Sequence, residues 1–462
     1  MTLIKSISGI RGTIGGQVGD NLTPIDAVKF ASAYGVWVKQ QRTKDQYKVV
    51  VGRDARISGA MIQNLVMNTL VGLGIHVVDL GLSTTPTVEL AVPMEHADGG
   101  IILTASHNPK QWNALKLLNS KGEFLDGEEG AKILEIAESD QMSFADVDSL
   151  GKITKNKAYI DLHIIEVLDL PLVNVKAIED ARFKVVVDGV NSTGGIAIPL
   201  LLERLGVHVI KLYCEPNGEF PHNPEPLKEH LTDLSERVVK EHADFGIVVD
   251  PDVDRLAFMD EKGDMFGEEY TLVACADYVL SRTPGNTVSN MSSTRALRDV
   301  TEKYGGTYEA SAVGEVNVVK LMKKNKVVIG GEGNGGIIYP ESHYGRDALV
   351  GVALFLSLLA DKQISVSALR KTYPNYFMSK KKIELTPGLD VDGILTAIEN
   401  RYQNEQLTTI DGVKIDFSES WVHLRKSNTE PIIRIYTEAK SQTEADTLAD
   451  KFIKEIGEIA NR

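Results

Sequence analysis

The chain repeats one pattern three times, and this repeat constrains its fold more than any other feature. In each copy a short β-branched run leads into a polar turn, an amphipathic stretch and then a second apolar run. The first runs begin at Lys48, Lys184 and Thr287. Short β-branched runs that alternate with amphipathic segments are typical of parallel α/β units. The sequence therefore predicts three related α/β domains.

Each copy continues with another apolar strand that ends in a polar loop. The three loops cover residues 104–109, 250–255 and 331–336. Ligands of open α/β sheets bind at the carboxyl ends of the strands. We therefore expect the three loops to face one central cleft between the domains.

The pattern changes near the end of the chain. Residues 371–382 contain four lysines and are interpreted as a linker or hinge. Strands are predicted around Trp421 and over residues 432–437, and a closing helix begins at a capping box formed by Ser441 and Glu444. We predict an α/β protein with three similar α/β domains that contain mixed sheets, and a smaller C-terminal α+β domain, around a central cleft. The predicted domains are residues 1–152, 153–256, 257–370 and 371–462.

The composition excludes several classes of protein. Acidic residues outnumber basic ones by 64 to 50, whereas a general nucleic-acid binder needs a basic footprint. Two cysteines, Cys214 and Cys275, offer neither a disulfide scaffold nor a metal-ligand spacing. The start of the chain does not resemble a signal peptide. Every apolar stretch is shorter than the roughly 20 residues that are needed to span a bilayer. We expect a cytoplasmic protein without nucleic-acid or membrane partners.

Three aspartates alternate in the second loop. In an extended segment Asp250, Asp252 and Asp254 would point the same way, and three like charges repel unless a cation holds them. All-oxygen ligands suit Mg²⁺. A solvated acidic turn is one alternative. A calcium EF-hand is another, since Glu261 falls at its twelfth position, but Arg255 stands where that loop needs glycine. The pattern favours a divalent metal site at the end of a strand.

The first loop places Ser106 next to His107, with Lys116 ten residues further on. Neighbours in sequence do not form a hydrolase triad, which needs spatial convergence, and a G-x-S-x-G elbow is absent. These side chains can handle a phosphoryl group and its proton. From the residues alone, a structural turn and a nucleophile both remain open for Ser106.

The third loop formally matches the glycine pattern of dinucleotide-binding sites. However, β-branched residues and Pro340 follow it, where that pattern needs a helix. Glu332 and Asn334 instead offer an acceptor and an amide, which suit the hydroxyl or amino groups of a sugar.

A fourth polar loop lies in the C-terminal domain. Residues 425–431 and Arg434 bring together two guanidiniums, two hydroxyls and an amide. Such a donor cluster fits a phosphate, which arginine binds bidentately. A solvated turn is the alternative.

Together the four loops resemble, in their order along the chain, those of the α-D-phosphohexomutase superfamily, which includes phosphoglucosamine mutases, phosphomannomutases and phosphoglucomutases. The likeness covers essentially the whole chain. The resemblance implies that Ser106 is the phosphorylated catalytic serine. It also implies that Asp250, Asp252 and Asp254 bind Mg²⁺ together with the phosphate of Ser106.

The resemblance implies roles for the remaining residues. His107 and Lys116 are the candidates for proton transfer, and Arg11 and Arg255 face the active site. As a base, Lys116 would need a pKa lowered by desolvation or nearby cations. The residues expected to hold the sugar and its non-reacting phosphate are Glu332, Asn334, Arg425, Ser427, Asn428, Thr429 and Arg434.

The implied reaction interconverts a hexose 6-phosphate and a hexose 1-phosphate through a phosphoserine and a bisphosphorylated sugar. One Mg²⁺ per chain and a hexose 1,6-bisphosphate activator are expected, with a small phosphosugar as partner and a monomer or homodimer as the assembly.

The third loop lacks a histidine often found at its end, and residues 217–226 are similar to a branch that contains phosphoglucosamine mutases. We therefore expect glucosamine phosphate as the substrate. Residues 104–109 are closer to the mannose and glucose mutases, which stay as alternatives beside a catalytically silent sugar-phosphate-binding protein and a nicotinamide oxidoreductase.

Overall fold

The computed structural model describes residues 2–6, 9–139, 142–384, 390–426 and 432–460. These residues form four β-sheets, each with its own helices, and we refer to each sheet with its helices as a domain. None of the helices within these ranges combines the length and apolarity that a bilayer span requires.

The first sheet has seven strands in the order β1-β2-β6-β5-β3-β4-β7. Its strands are β1 (Ile4–Ser6), β2 (Gly9–Thr13), β3 (Tyr47–Arg53), β4 (Ile75–Leu82), β5 (Gly99–Leu103), β6 (Trp112–Leu118) and β7 (Ile153–Lys155). The helices of this domain are α1 (Pro24–Gln41), α2 (Gly59–Gly72), α3 (Thr85–Met94) and α4 (Gly127–Glu138). Strand β3 lies between β4 and β5 and is parallel to both, whereas β6 is antiparallel to β5. Strand β7 pairs with β4, so the first sheet extends past residue 152.

The second and third sheets repeat this arrangement. The second contains β8 (Lys184–Asp188), β9 (His208–Leu212), β10 (Phe245–Val249) and β11 (Leu256–Met259), with α5 (Tyr159–Leu168), α6 (Val175–Ala181), α7 (Gly194–Arg204) and α8 (Thr232–Glu241). The third contains β12 (Thr287–Asn290), β13 (Tyr308–Ser311), β14 (Ile329–Glu332) and β15 (Gly336–Ile338), with α9 (Glu268–Arg282), α10 (Ala296–Lys303), α11 (Glu315–Asn325), α12 (Ala348–Lys362) and α13 (Val366–Arg370). In each sheet the first strand lies between two parallel neighbours, and the last strand returns antiparallel.

The polar loops occupy equivalent places in the three sheets. Each connects the third parallel strand to the antiparallel strand that follows it. We name them the serine loop (residues 104–111), the acidic loop (residues 250–255) and the glycine loop (residues 333–335). The predicted repeat therefore places three loops at the carboxyl ends of parallel strands. Strand β11 pairs with β10, so the second sheet extends past residue 256.

Helix α12 is apolar and buried over most of its length. Asp347 caps its start by accepting from Leu349 N at 2.8 Å, and its residues are buried as far as Ala360. One apolar cluster runs from α5 through β11 to α12, and the rings of Phe258 and Phe355 stack with centroids 3.7 Å apart. The second and third domains therefore share a continuous core.

The fourth domain is a five-stranded antiparallel sheet with two helices. It contains β16 (Phe377–Glu384), β17 (Gln406–Thr408), β18 (Val413–Asp416), β19 (Trp421–Lys426) and β20 (Ile432–Ala439), with α14 (Val391–Arg401) and α15 (Gln442–Ala460). Strand β16 overlaps the predicted linker or hinge over residues 377–382, and that prediction is wrong there. It lies at the edge of the sheet, where lysines are common because they discourage further strand pairing. The predicted α/β architecture with a smaller α+β domain is otherwise present.

Candidate active site

A cavity of about 1310 Å³ is lined by residues of all four domains. Its lining includes Ser106 from the first domain, Arg255 from the second, Glu332 from the third and Arg425 from the fourth. Ligand pockets usually measure about 300–1,000 Å³. This cavity therefore leaves room for a small ligand to change its orientation.

Ser106 is held in an uncommon backbone conformation. Its φ is 49°, a left-handed value that a residue other than glycine adopts only when its surroundings impose it. The hydroxyl Oγ donates to Asp250 Oδ2 at 2.7 Å, and His107 Nδ1 lies 3.4 Å from the same Oγ. The serine of the first domain thus faces the acidic loop of the second.

The acidic loop brings its three aspartates together. Asp250, Asp252 and Asp254 are fully buried, and one carboxylate oxygen from each lies within 4.8 Å of the others. The loop is a turn rather than the extended segment assumed from the sequence, because Val253 has a φ of 65°. The Val253 carbonyl accepts from Ala348 N at 3.2 Å, which anchors the turn to the start of α12.

The donor set of this loop fits a divalent cation. Asp252 Oδ1 and Asp254 Oδ1 are buried and have no hydrogen-bond partner among the described residues. Burial, with repulsion from Asp254 and Asp252, raises the pKa of Asp250 well above its usual value. Buried carboxylate oxygens without partners are suited to a hard cation such as Mg²⁺. Glu261 does not join them, since it accepts from Ser367 N at 3.1 Å. The EF-hand alternative also fails because a strand, β11, follows the loop.

Lys116 pairs with the acidic loop. Its Nζ donates to Asp252 Oδ2 at 2.7 Å and to Asp254 Oδ2 at 3.3 Å. Burial alone would lower the pKa of Lys116, but the two carboxylates outweigh it and raise the pKa above the usual value. The lowered pKa that a base at this position would need is therefore not present in this arrangement. Lys116 in turn lowers the pKa of Asp252, against the effect of burial.

His107 and Arg255 also line the cavity. Burial, followed by the charge of Arg255, lowers the pKa of His107 well below its usual value, which favours the neutral imidazole. Arg255 Nη1 donates to Glu225 Oε1 at 3.2 Å. Because Arg255 N also donates to Asp250 Oδ1 at 3.1 Å, the acidic loop fixes the position of this arginine.

Glu332 and Asn334 line the cavity from the third domain. Glu332 is the last residue of β14, and its Oε1 accepts from Asn290 Nδ2 at 2.9 Å. Its Oε2 accepts from Arg346 Nη1 at 3.0 Å. Strand β15 follows the glycine loop, where a dinucleotide site would need a helix, so the dinucleotide interpretation fails.

Arginines from two domains also line the cavity. Arg425 on β19 and Arg434 on β20 stand directly opposite each other, and both line the cavity with Arg11 of β2. Burial, followed by the charge of Arg434, lowers the pKa of Arg11. Like charges in opposed positions of a sheet are unfavourable, so a bound anion would relieve this arrangement. The predicted residues Ser427, Asn428 and Thr429 lie outside the described residues.

Several side chains that line the cavity were not predicted from the sequence. The most prominent are Glu269, Asn290, Glu315, Arg346, Lys380 and His423. Asn290 ends β12, so the rule that ligands gather at strand ends could have identified it. Arg346 carries no such signal, since its partners Glu315, Glu332 and Asp254 are remote in sequence.

Four family models match the chain in succession. They describe phosphoglucomutase/phosphomannomutase alpha/beta/alpha domains I, II and III and the C-terminal domain, and they match residues 3–143, 158–263, 267–376 and 380–455. A phosphoglucomutase/phosphomannomutase of Thermococcus kodakarensis is 34% identical, over 97% of this chain and 98% of the relative. A probable phosphoglucosamine mutase of Methanopyrus kandleri is 31% identical, over 96% of each chain. The crystal structure of a phosphoglucomutase/phosphomannomutase family protein from Burkholderia thailandensis has the same fold, with a TM-score of 0.84 and 24% identity over 98% of each chain.

Proposed function

Because this chain belongs to the phosphoglucomutase/phosphomannomutase family and is therefore a phosphohexomutase, we propose that it interconverts glucosamine 6-phosphate and glucosamine 1-phosphate. The proposal covers the substrate and the residues that act on it. Its main support is the contact of 2.7 Å between Ser106 Oγ and Asp250 Oδ2, which places a hydroxyl nucleophile beside a buried acidic site.

Ser106 carries the phosphoryl group in this proposal. The bond between phosphorus and Ser106 Oγ breaks as a bond to a sugar hydroxyl oxygen forms, and the proton of that hydroxyl leaves as Ser106 Oγ gains one. His107 and Lys116 are the candidates for these two proton movements, since both lie near Ser106 in the cavity. Phosphoryl transfer depends mainly on positioning and charge neutralisation, and Arg255 lies where it can offset charge.

Asp250, Asp252 and Asp254 would hold one Mg²⁺ together with the phosphate on Ser106. The ion supplies positive charge that stabilises the transferring phosphoryl group. Lys116 and Arg346 pair with the same aspartates, so the chain itself contributes part of the neutralising charge.

Arg425 and Arg434, with the loop that contains Ser427, Asn428 and Thr429, would bind the phosphate that does not react. Arg11 approaches the same anion from the first domain. After the first transfer the sugar carries two phosphates, and the cavity of about 1310 Å³ gives this bisphosphate room to turn. Its other phosphoryl group then returns to Ser106. Hexose 1,6-bisphosphate would act as activator, because it phosphorylates a serine that has lost its phosphate.

Glu332 and Asn334 would contact the sugar. A carboxylate at this wall suits the amino group of glucosamine, and the Methanopyrus kandleri relative carries the name of a phosphoglucosamine mutase. Mannose and glucose phosphates form the second candidate class, which the name of the Thermococcus kodakarensis relative favours.

A coupled assay tests the substrate. Glucosamine, mannose and glucose 1-phosphates are compared with Mg²⁺ and a trace of the matching bisphosphate. We expect the highest kcat/KM for glucosamine phosphate, and faster turnover of mannose phosphate would exclude that choice. Intact-mass measurement after incubation with glucose 1,6-bisphosphate tests the phosphoserine. Wild type should gain one phosphate and Ser106→Ala none.

A further inference from the structure

One buried arginine uses all of its hydrogen-bond donors beneath the serine loop. Arg56 is 1% exposed, and its Nε donates to Asp54 Oδ2 at 3.0 Å. An arginine guanidinium has five N–H groups, and the other four of Arg56 point to backbone carbonyls of one short segment. These carbonyls belong to Ser106, Asn108, Pro109 and Trp112.

The same ion pair holds Ser106 from its amide side. Asp54 Oδ2 accepts from Thr104 Oγ1 at 2.7 Å, and Thr104 Oγ1 accepts from Ser106 N at 3.0 Å. The N–H of Ser106 is therefore fixed through Thr104, and its C=O is fixed directly by Arg56. These two bonds enclose the one residue of the serine loop whose φ, at 49°, is left-handed.

We propose that Arg56 is a positioning residue for phosphoryl transfer, which holds the left-handed backbone of Ser106 so that its hydroxyl faces Asp250. Arg56 does not line the cavity, so it acts through the serine loop rather than on the substrate. A strained backbone persists only where its surroundings determine it, and here four carbonyls and one carboxylate do so. The inference rests on the proposed role of Ser106 as phosphoryl carrier.

A segment of the second domain packs against Arg56 and the neighbouring backbone. The ring of Phe220 lies 5.1 Å from the Arg56 guanidinium carbon. A Cβ on Gly218 would come within 2.1 Å of the Ala55 carbonyl oxygen, so the two backbones are in close contact. Both residues belong to the segment 217–226. This segment shields Arg56 from water and thereby strengthens its bonds to the carbonyls.

The test compares Arg56→Lys with wild type in the full-length protein. Lysine keeps the charge but offers three donors from one point, so it cannot reproduce the planar fork. The readout is the rate at which glucose 1,6-bisphosphate phosphorylates Ser106, followed by intact mass. A misplaced reacting group costs about 100-fold in rate, so we expect about that loss with KM for the sugar phosphate unchanged.

Two further variants keep the test decisive. Thr104→Val removes the amide-side contact with little change in shape, and it should also slow phosphorylation if Arg56→Lys does not fold. Val66→Ala opens a small space in the core of the same domain, away from the serine loop, and controls for lost stability. Its phosphorylation rate should equal that of wild type.

The outcomes separate the two proposals. A wild type that takes no phosphate on Ser106 would overturn the proposed function. A phosphorylated wild type beside Thr104→Val and a folded Arg56→Lys that react equally fast would overturn the positioning role alone. The positioning role is also overturned if Val66→Ala, at a similar loss of stability, lowers the rate of Ser106 phosphorylation as much as Arg56→Lys does. If Arg56→Lys does not fold, an unchanged rate in Thr104→Val overturns the role.

Discussion

Arg346 Nη2 lies 2.7 Å from Asp254 Oδ2, so a side chain of the third domain pairs with the acidic loop of the second. The same guanidinium donates to Glu315 Oε2 and to Glu332 Oε2, each at 3.0 Å. All four side chains are buried. One cation therefore connects the acidic loop to the wall of the cavity that is expected to contact the sugar.

Replacement of Arg346 should lower the stability of the folded protein. Arg346→Met leaves three buried carboxylates without their shared partner, and we expect the free energy of unfolding to fall by about 3–5 kcal/mol. Arg282→Met is the matched control, because Arg282 forms an ion pair with Asp361 at the surface. That pair should contribute about 1 kcal/mol or less. Urea unfolding followed by circular dichroism measures both, and equal losses would contradict the role given to Arg346.

Mg²⁺ should stabilise the folded protein through the acidic loop. At a free ion concentration 100-fold above the dissociation constant, we expect a gain of about 2.7 kcal/mol. Asp252→Asn removes one of the three charges and should abolish most of this gain. Glu261→Gln should keep it, because Glu261 bonds to Ser367 and lies outside the site. Thermal unfolding with and without Mg²⁺ measures the effect, and an equal loss in Glu261→Gln would favour an EF-hand instead.

Glu269 should make stability depend on pH. Burial raises its pKa from 4.5 to about 8, so the folded protein keeps a proton that the unfolded chain loses above about pH 4.5. The stabilising effect of the protonated group is therefore complete below pH 4.5 and lost as the pH rises towards 8. The free energy of unfolding changes through this group by at most about 1.4 kcal/mol per pH unit.

Glu269→Gln tests this dependence because glutamine cannot ionise. The variant should unfold with a free energy that changes less between pH 5 and pH 8 than that of wild type. Glu302→Gln, at an exposed position of α10, serves as the control and should retain the slope of wild type. Unfolding curves at several pH values measure the difference. An unchanged slope in Glu269→Gln would assign the dependence to another group.

Asp411 should affect substrate binding through Arg425. Asp411 Oδ1 accepts from Arg425 Nε at 2.9 Å, and its Oδ2 accepts from Val313 N of the third domain at 3.0 Å. Asp411→Asn weakens both contacts, and we expect KM for the sugar phosphate to rise about tenfold, as the loss of about 1.4 kcal/mol implies. Asp392→Asn is the control, since Asp392 bonds to the neighbouring Lys426 at the surface. Steady-state kinetics decide, and an unchanged KM would disprove the link.

The repeat and its loops were predictable because they depend on local patterns. β-branched runs before polar turns identified β3, β8 and β12, and the carboxyl ends of the third strands identified the loops. The convergence of the three aspartates was also predicted, although for the wrong reason. An extended chain would align alternate side chains, whereas the structure brings Asp250 and Asp254 together through a turn at Val253.

The contacts that hold the site were not predictable, because they join distant segments. Arg346 reaches Asp254 across 92 positions, and Arg56 reaches Ser106 across 50. Neither arginine follows a recognisable motif of its own. Strand β16 was missed for a different reason, since adjacent lysines hide the alternation that would have revealed an edge strand. Packing between segments, rather than any local preference, decides these features.

The continuous core beneath the second and third domains determines which parts of the chain can be exchanged with a relative. Phe258 of β11 stacks on Phe355 of α12, so a chimaera that replaces one of these domains alone must find a matching apolar face on the other. The fourth domain packs its described apolar cluster from its own residues. A recombination point near residue 376 therefore leaves both cores whole, whereas one near residue 263 divides a single core between two parents.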